Sequence, residues 1–259
     1  MSEFISLDSL RVQGLLEEYL NFGGYPRVIL EERVEEKRKM IAELYQSYLE
    51  RDIVGLLGVH KAESFTSLVR LMAGQIGQMV NISEIASTLG VNMVTVNNYL
   101  WYMQKTFLMD KVTPFFKNLR KEISKSPIFY FYDSGMRNYA LGIFGITIPI
   151  SESGFLFQNF VYNILKEKTE NTSIQIHYWR TTNKAEVDFV LDKGTEIIPI
   201  EVKYQELTQP HLTRSFQSFL SNYHPGKAFV VHLGKEGQKK IDNTQIQLIS
   251  YYQLISQDL

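Results

Sequence analysis

The sequence predicts a protein mixing helices and strands in the α+β / α/β range. An N-terminal helical region and a winged helix-turn-helix precede a mixed sheet flanked by helices. Three observations carry this. Apolar residues recur at helical spacing through about the first 75 positions. Two short capped helices separated by a glycine follow Asn81. From Ser151 the order becomes helix, three strands, helix, strand and a last strand. The expected boundaries are 1–75 for the helical region, 76–148 for the winged-helix-like domain and 149–259 for the sheet domain.

In the first region, "RVEEKRKMIAELYQSYLERDIVGLLG" spaces Val34, Ile41, Leu44, Tyr48 and Leu49 near one helix face. Mixed charges from Glu31 to Lys39 mark the solvated side. "NFGGYPRV", Asn21 to Val28, is a turn set by two glycines and a proline. In the second region Ser83 can cap a helix carrying Ile85, Ala86 and Leu89, which Gly90 ends. Asn92 caps the next helix, with Val96, Leu100 and Met103 inward, and "FLMDKVTPFF" supplies strands. The helix that would read a DNA groove, Asn92 to Gln104, offers Thr95, Asn97 and Asn98 but no Lys or Arg. Phosphate neutralisation supplies most non-specific DNA affinity, so a packing or protein-contact module is favoured here.

"PIFYFYDSGMRNYALG" reads as a buried strand entering a helix capped by Asp133, with Arg137 a surface cation; both lining a site is the alternative. In the third region a helix spans Gly154 to Lys168, and strands span Ile174 to Arg180, Glu186 to Asp192 and Thr195 to Tyr204. A helix from about Gln209 to Asn222 and strands over Ala228 to Leu233 and Gln247 to Ser250 complete an α/β sandwich.

Composition narrows the function. The chain has 259 residues with a net charge of −1, so nucleic-acid contact requires a local patch rather than a global basic field. The absence of cysteine excludes disulfides, thiol catalysis and thiolate metal sites, and fits a cytoplasmic location. The five histidines show no pair at metal-ligand spacing. No apolar run approaches the roughly 18 to 20 residues that span a bilayer, and "MSEFISLDSL" lacks the layout of a signal peptide. No GxxxxGK[ST] occurs, so no NTPase activity is expected of this chain by itself.

The informative stretch is "AEVDFVLDKGTEIIPIEVKY", Ala185 to Tyr204. "DKG" between two alternating runs predicts a hairpin with Lys193 and Gly194 as its loop. Val187 then faces Ile200 and Phe189 faces Ile198 on an apolar side. Glu186 faces Glu201 on the other side, and Asp188 lies diagonal to Glu201 at about 7 to 8 Å, within side-chain reach. Lys203 shares that side, and Pro199 suggests interrupted pairing beside the acids. Carboxylates gathered on a partly covered face need a compensating cation or a proton. Magnesium, held by one or two carboxylates plus waters and phosphate oxygens, suits the arrangement, with Lys203 positioning or activating a water. The alternative is an edge hairpin whose acids and lysine form solvated surface pairs worth about 0 to 1 kcal/mol.

The order helix, strand with Asp, strand with Glu-x-Lys, helix resembles the PD-(D/E)XK nuclease superfamily. "YLNFGGYPRV", "YLERDI", the winged-helix stretch, "YFYDSGMRNYALG", "GFLFQNFVYNIL", "YWRTTNKAEVDFV" and "IPIEVK" occur in the order seen in a large prokaryotic family of AAA-type ATPases. In that family a C-terminal region follows the ATPase core. The resemblance covers nearly the whole chain and implies a PD-(D/E)XK restriction-endonuclease-like sheet. It further implies Asp188 and Glu201 as Mg2+-binding acids and Lys203 as the catalytic lysine, with DNA as the target.

Two departures stand out. The ATPase core is absent, so the chain is expected to be part of a longer protein or to have lost its motor. Gln158 precedes Asn159 where the family shows the glutamate of an "EN" pair. Its amide oxygen can bind a divalent ion, more weakly than a carboxylate, or Gln158 is a polar helix residue satisfied by a neighbour. Arg180 and Lys184 are solvated cations or phosphate contacts, and Tyr178 and Trp179 pack rather than stack on bases. Two functions are therefore expected. One is a Mg-dependent nuclease acting on DNA. The other is a degenerate nuclease-fold module binding nucleic acid, a partner protein or the missing ATPase domain. A winged-helix regulator is a third reading, weakened by the want of basic residues.

Overall fold

A computed structural model describes residues 2–49, 53, 62–116, 126–146, 150–208 and 212–257. The chain forms two compact units, Met1–Asp110 with Phe129–Glu152, and Lys111–Ile128 with Ser153–Leu259. Segments 1–75 and 76–148, expected as two bodies, thus fall mostly within one unit.

The first unit is helical. It holds α1 (Ser2–Phe22), α2 (Pro26–Ile29), α3 (Val34–Ser47), α4 (Ala62–Gly74), α5 (Ile82–Leu89) and α6 (Met93–Lys105), with α7 (Ser134–Leu141) after the strands. The inward face of α3 carries Lys37, Ile41 and Tyr45, whereas Val34 is exposed. Most of "YLERDIVGLLG" lies outside the described residues. The cap of α5 is Asn81 rather than Ser83: its side chain accepts from Ser83 N and Glu84 N. Gly90 ends α5 in the left-handed region at φ +63°, and Asn92 caps α6 through Thr95 N at 2.7 Å, both as the sequence predicts.

Asp133 and the Gly23–Gly24 turn meet in this unit. The Asp133 carboxylate caps α7 through Met136 N at 2.8 Å and accepts Gly24 N at 2.7 Å. Gly23 has φ +80°, and a Cβ there would collide with that carboxylate. Arg137 is buried at 3% exposure, not a surface cation, and donates Nε to Ala73 O at 2.8 Å. Asp133 and Arg137 therefore tie backbone segments together.

The sheet has the order β2-β1-β3-β4-β5-β6-β8-β7, with β1 (Met109–Pro114), β2 (Ile128–Phe131), β3 (Gln175–Arg180), β4 (Glu186–Asp192), β5 (Ile197–Val202), β6 (Lys227–His232), β7 (Gly237–Ile241) and β8 (Thr244–Ser250). Pairing is parallel for β1–β3, β5–β6 and β6–β8, and antiparallel for β3–β4, β4–β5 and β7–β8. Helices α8 (Ile150–Thr169), α9 (Arg214–Tyr223) and α10 (Tyr251–Ser256) complete the element list. The parallel step from β5 to β6 needs a crossover, which α9 provides. The expected helix start at Gln209 lies outside the described residues.

Val190 joins the apolar cluster of Phe216, Phe219, Val230 and Leu248, whereas Phe189 meets Tyr162 of α8 with ring centroids 6.1 Å apart. Neighbouring strand residues point oppositely, so α8 and α9 cover opposite faces of this sheet. Trp179 and Tyr178 are buried; the indole packs edge-on against Phe219 at 5.2 Å and donates to Tyr223 Oη. Both are packing residues.

Candidate functional site

The hairpin closes one residue later than its sequence suggests. Lys193 N donates to Glu196 O, leaving Gly194 and Thr195 as the loop, with Gly194 at φ +81°. A glycine at the first loop position is what a II′ turn requires. The register follows: Phe189 pairs with Ile200, Val190 with Pro199 and Asp192 with Ile197, two residues from the expected partners. Continued by one residue this register would set Asp188 across from Glu201 instead of on the diagonal, but the ladder ends at Phe189–Ile200. The ladder from β5 to β6 begins at Ile200, one residue past Pro199, so the proline interrupts none of those ladder bonds.

The interruption lies in β4. His177 pairs with Val190 but Trp179 pairs with Val187, so Asp188 and Phe189 together oppose the single residue Tyr178. This is a β-bulge at the candidate acid. It explains why Val187 and Val190, three apart, join the same apolar cluster, and it corrects the shared side expected of Val187 and Phe189.

The acids reach a common pocket by a route that simple strand parity misses. Past Phe189–Ile200, the Asp188 side chain takes the place of a backbone partner: Val202 N donates to its Oδ2 at 2.7 Å. Gln158, from α8, donates Nε2 to Asp188 Oδ1 at 2.9 Å. Glu201 pairs in register with Val230 of the α9-facing cluster. Its Oε1 accepts Lys203 Nζ at 2.7 Å and Thr213 Oγ1 at 3.3 Å. Asp188, Glu201, Lys203, Glu186, Arg180, Lys184, Thr213 and Ser215 line one open pocket of about 410 Å³.

Burial and mutual repulsion disfavour the charged forms of the two acids. Burial raises the Asp188 pKa, the neighbouring Glu201 raises it further, and it reaches about 8. Burial likewise raises Glu201, opposed by Lys203 and the Thr213 hydroxyl. Burial works against the Lys203 charge, but Glu201 more than offsets it and holds the ammonium above its ordinary range. Arg180 pairs with Glu186 at 3.1 Å, at the pocket and not loose in solvent. Lys184 lines the same pocket from an exposed position at φ +62°.

The donor set suits a hard divalent cation: two carboxylates, with no soft ligand in the lining. Among the described residues no group of three or more acidic or histidine ligands converges, so the protein could supply two carboxylates and the remainder would be solvent or substrate oxygens. Gln158, expected as a third ligand, here presents its amide nitrogen to Asp188. Thr213 and Ser215 escaped sequence reading. The signal for Thr213 was the N-cap pattern Thr-Arg-Ser-Phe, hidden by placing the helix start at Gln209.

Relatives place the chain without assigning it an activity. An "Uncharacterized protein" of Haemophilus influenzae is 24% identical over 85% of this chain and 53% of its own length. Uncharacterized protein MJ1544 of Methanocaldococcus jannaschii is 19% identical over 96% of this chain and 52% of its own. Uncharacterized protein Rv2008c of Mycobacterium tuberculosis is 26% identical over 73% and 42%. The chain thus spans about half the length of these relatives. A crystal structure of protein VC1899 from Vibrio cholerae aligns over 90% of this chain and 56% of its own at 11% identity, with a TM-score of 0.25, which carries no argument. Residues 153–254, the site included, match the "Domain of unknown function (DUF4143)". Residues 13–147, just over half the sequence, match the "Domain of unknown function (DUF8612)", and the chain belongs to that family.

Proposed function

We propose that the sheet-bearing unit is a PD-(D/E)XK-like, Mg2+-dependent phosphodiesterase module that acts on DNA. The observation that carries this is the convergence of Asp188, Glu201 and Lys203 on one open pocket. Asp188 and Glu201 would hold the cation. When bound, it supplies Lewis acidity toward a phosphodiester oxygen and a more acidic water. The chain's own groups do the rest. Val202 N and the Gln158 amide fix the Asp188 carboxyl from two directions. Lys203, kept protonated by Glu201, cannot accept a proton near neutral pH; it stabilises negative charge developing on the phosphoryl oxygens. Arg180, paired with Glu186, and the exposed Lys184 line the same pocket and would be the groups to meet flanking phosphates.

A winged-helix part of the proposal rests on element order alone: α4, the Gly90-broken pair α5 and α6, then β1 and β2, although most of β1 belongs to the second unit. A second part of the proposal is that this region works beside an ATPase, as the family resemblance implies; the relatives it matches are about twice the matched length, which leaves room for such a core in them. Gln158 favours the competing reading, a degenerate nuclease fold that only binds, because an amide that donates to Asp188 stands where a ligand is expected.

A cleavage assay on plasmid and linear DNA with Mg2+ or Mn2+ separates the two. The nuclease reading expects metal-dependent cutting that falls by at least about 100-fold in Asp188→Ala and in Lys203→Met. Cutting unchanged in both variants would assign the activity to something else. Metal binding without cutting would favour the binding module.

A further inference from the structure

We infer that Thr213 is a positioning residue for Glu201, with one hydroxyl serving both the acid and helix α9. This rests on the reading of Asp188 and Glu201 as the cation-holding pair. Thr213 is the N-cap of α9, with φ −65° and ψ 155°, and its Oγ1 accepts Phe216 N at 3.1 Å. That cap uses the oxygen's lone pair and leaves the hydroxyl proton to be donated. The proton goes to Glu201 Oε1, the oxygen that also accepts Lys203 Nζ. Glu201 is only 6% exposed, so a donor there matters more than one facing water.

The geometry behind Thr213 is rigid. Phe216 and Phe219 are fully buried and Leu220 nearly so, in the cluster that contains Val230, the register partner of Glu201. The packing that seats α9 on the sheet therefore also sets the angle from which Thr213 meets the acid. Two donors on one oxygen, Lys203 just past β5 and Thr213 at the N-cap of α9, fix the rotation of the carboxyl group. A carboxyl held in one rotation loses less entropy on binding a cation than one free to turn. Among capping residues, Ser and Thr alone carry the accepting lone pair and the donatable proton on one and the same atom; Asp would cap but place a second anion beside Glu201.

The cap and the positioning role come apart in substitution. Glycine is nearly as good an N-cap as threonine, costing a few tenths of a kcal/mol, yet carries no hydroxyl. Serine keeps both functions. The full chain, Thr213→Gly, Thr213→Ser and Asp188→Ala are titrated with MnCl2 by calorimetry at 10 °C, after circular dichroism confirms that each is folded. The expected result is Thr213→Ser within twofold of the unaltered chain and Thr213→Gly weaker by fivefold or more, at a melting temperature close to the unaltered one. Equal affinity in Thr213→Gly, while Asp188→Ala abolishes binding, would leave the two-acid site standing and reduce Thr213 to a cap. No binding by the unaltered chain would overturn the two-acid site and this inference together.

Discussion

Asp188 sits in a conflict that its neighbours only partly resolve. It accepts two hydrogen bonds, yet burial and Glu201 hold its pKa at about 8. An acid whose folded pKa exceeds its unfolded value favours the folded state at low pH. Its stabilising effect is complete below the ordinary aspartate value near 3.8 and lost as pH rises through about 8. Asp188→Asn keeps an oxygen for Val202 N and removes the charge. The substitution should therefore stabilise the metal-free protein by about 1 to 3 kcal/mol at pH 9 and by almost nothing near pH 4. Urea unfolding at the two pH values checks this, and an equal effect at both would show that burial is not the cause.

Asp133 shows the same balance, with burial outweighing its donors. Burial raises its pKa, but backbone donors from Gly24, Met136, Gly135 and Tyr25 favour its charged form. Asp133→Ala leaves those buried N–H groups without their acceptor, and should cost about 2 to 4 kcal/mol in denaturant unfolding. A loss below about 0.5 kcal/mol would mean that the Gly23–Gly24 turn does not depend on the carboxylate.

At the scale of elements, the site is made by two local irregularities. One is the two-residue turn at Gly194–Thr195, with Gly194 at positive φ, which sets the β4–β5 register. Replacing Gly194 with alanine forces a side chain into positive φ and should cost about 1 kcal/mol, read as a shift in the denaturation midpoint. An unchanged midpoint would show that the turn can relax. The other irregularity is the bulge at Asp188–Phe189.

These two features also mark how far the sequence could be read. Alternation and turn chemistry located β4 to the residue and placed Asp188, Glu201 and Lys203 near one another. Alternation cannot reveal a bulge, because the extra residue matters only against a partner strand that is distant in sequence. It also cannot choose between Lys193–Gly194 and Gly194–Thr195 as the loop, since both keep the same parity. β7 was missed for a different reason. "GQKKI" is an exposed edge strand with two lysines, which blunt edge pairing and erase the apolar signal that would reveal it. The cap at Asn81 was mistaken for Ser83 because both residue types cap well and lie two positions apart.

At the scale of the whole molecule, family boundaries and physical boundaries differ. Lys111–Ile128 falls inside the segment that matches DUF8612 but belongs to the compact unit of the sheet, where β1 pairs with β3 through Thr113–His177 and Pro114–Tyr178. A fragment of residues 153–257 would leave the β3 edge uncovered. It should melt lower than the full chain and self-associate, as light scattering and thermal unfolding would report. A monomeric fragment with the melting temperature of the full chain would show that β1 is dispensable. Among the described residues no helix is long and apolar enough to cross a membrane.

The central claim is that Asp188 and Glu201 jointly hold a divalent cation. Its most direct test is anomalous scattering from crystals of the full chain soaked in MnCl2. The account predicts a single strong peak in the pocket, within ligand distance of oxygens from both carboxylates, and its loss in Asp188→Ala. A pocket without a peak at millimolar manganese, or a peak touching neither acid, would contradict it.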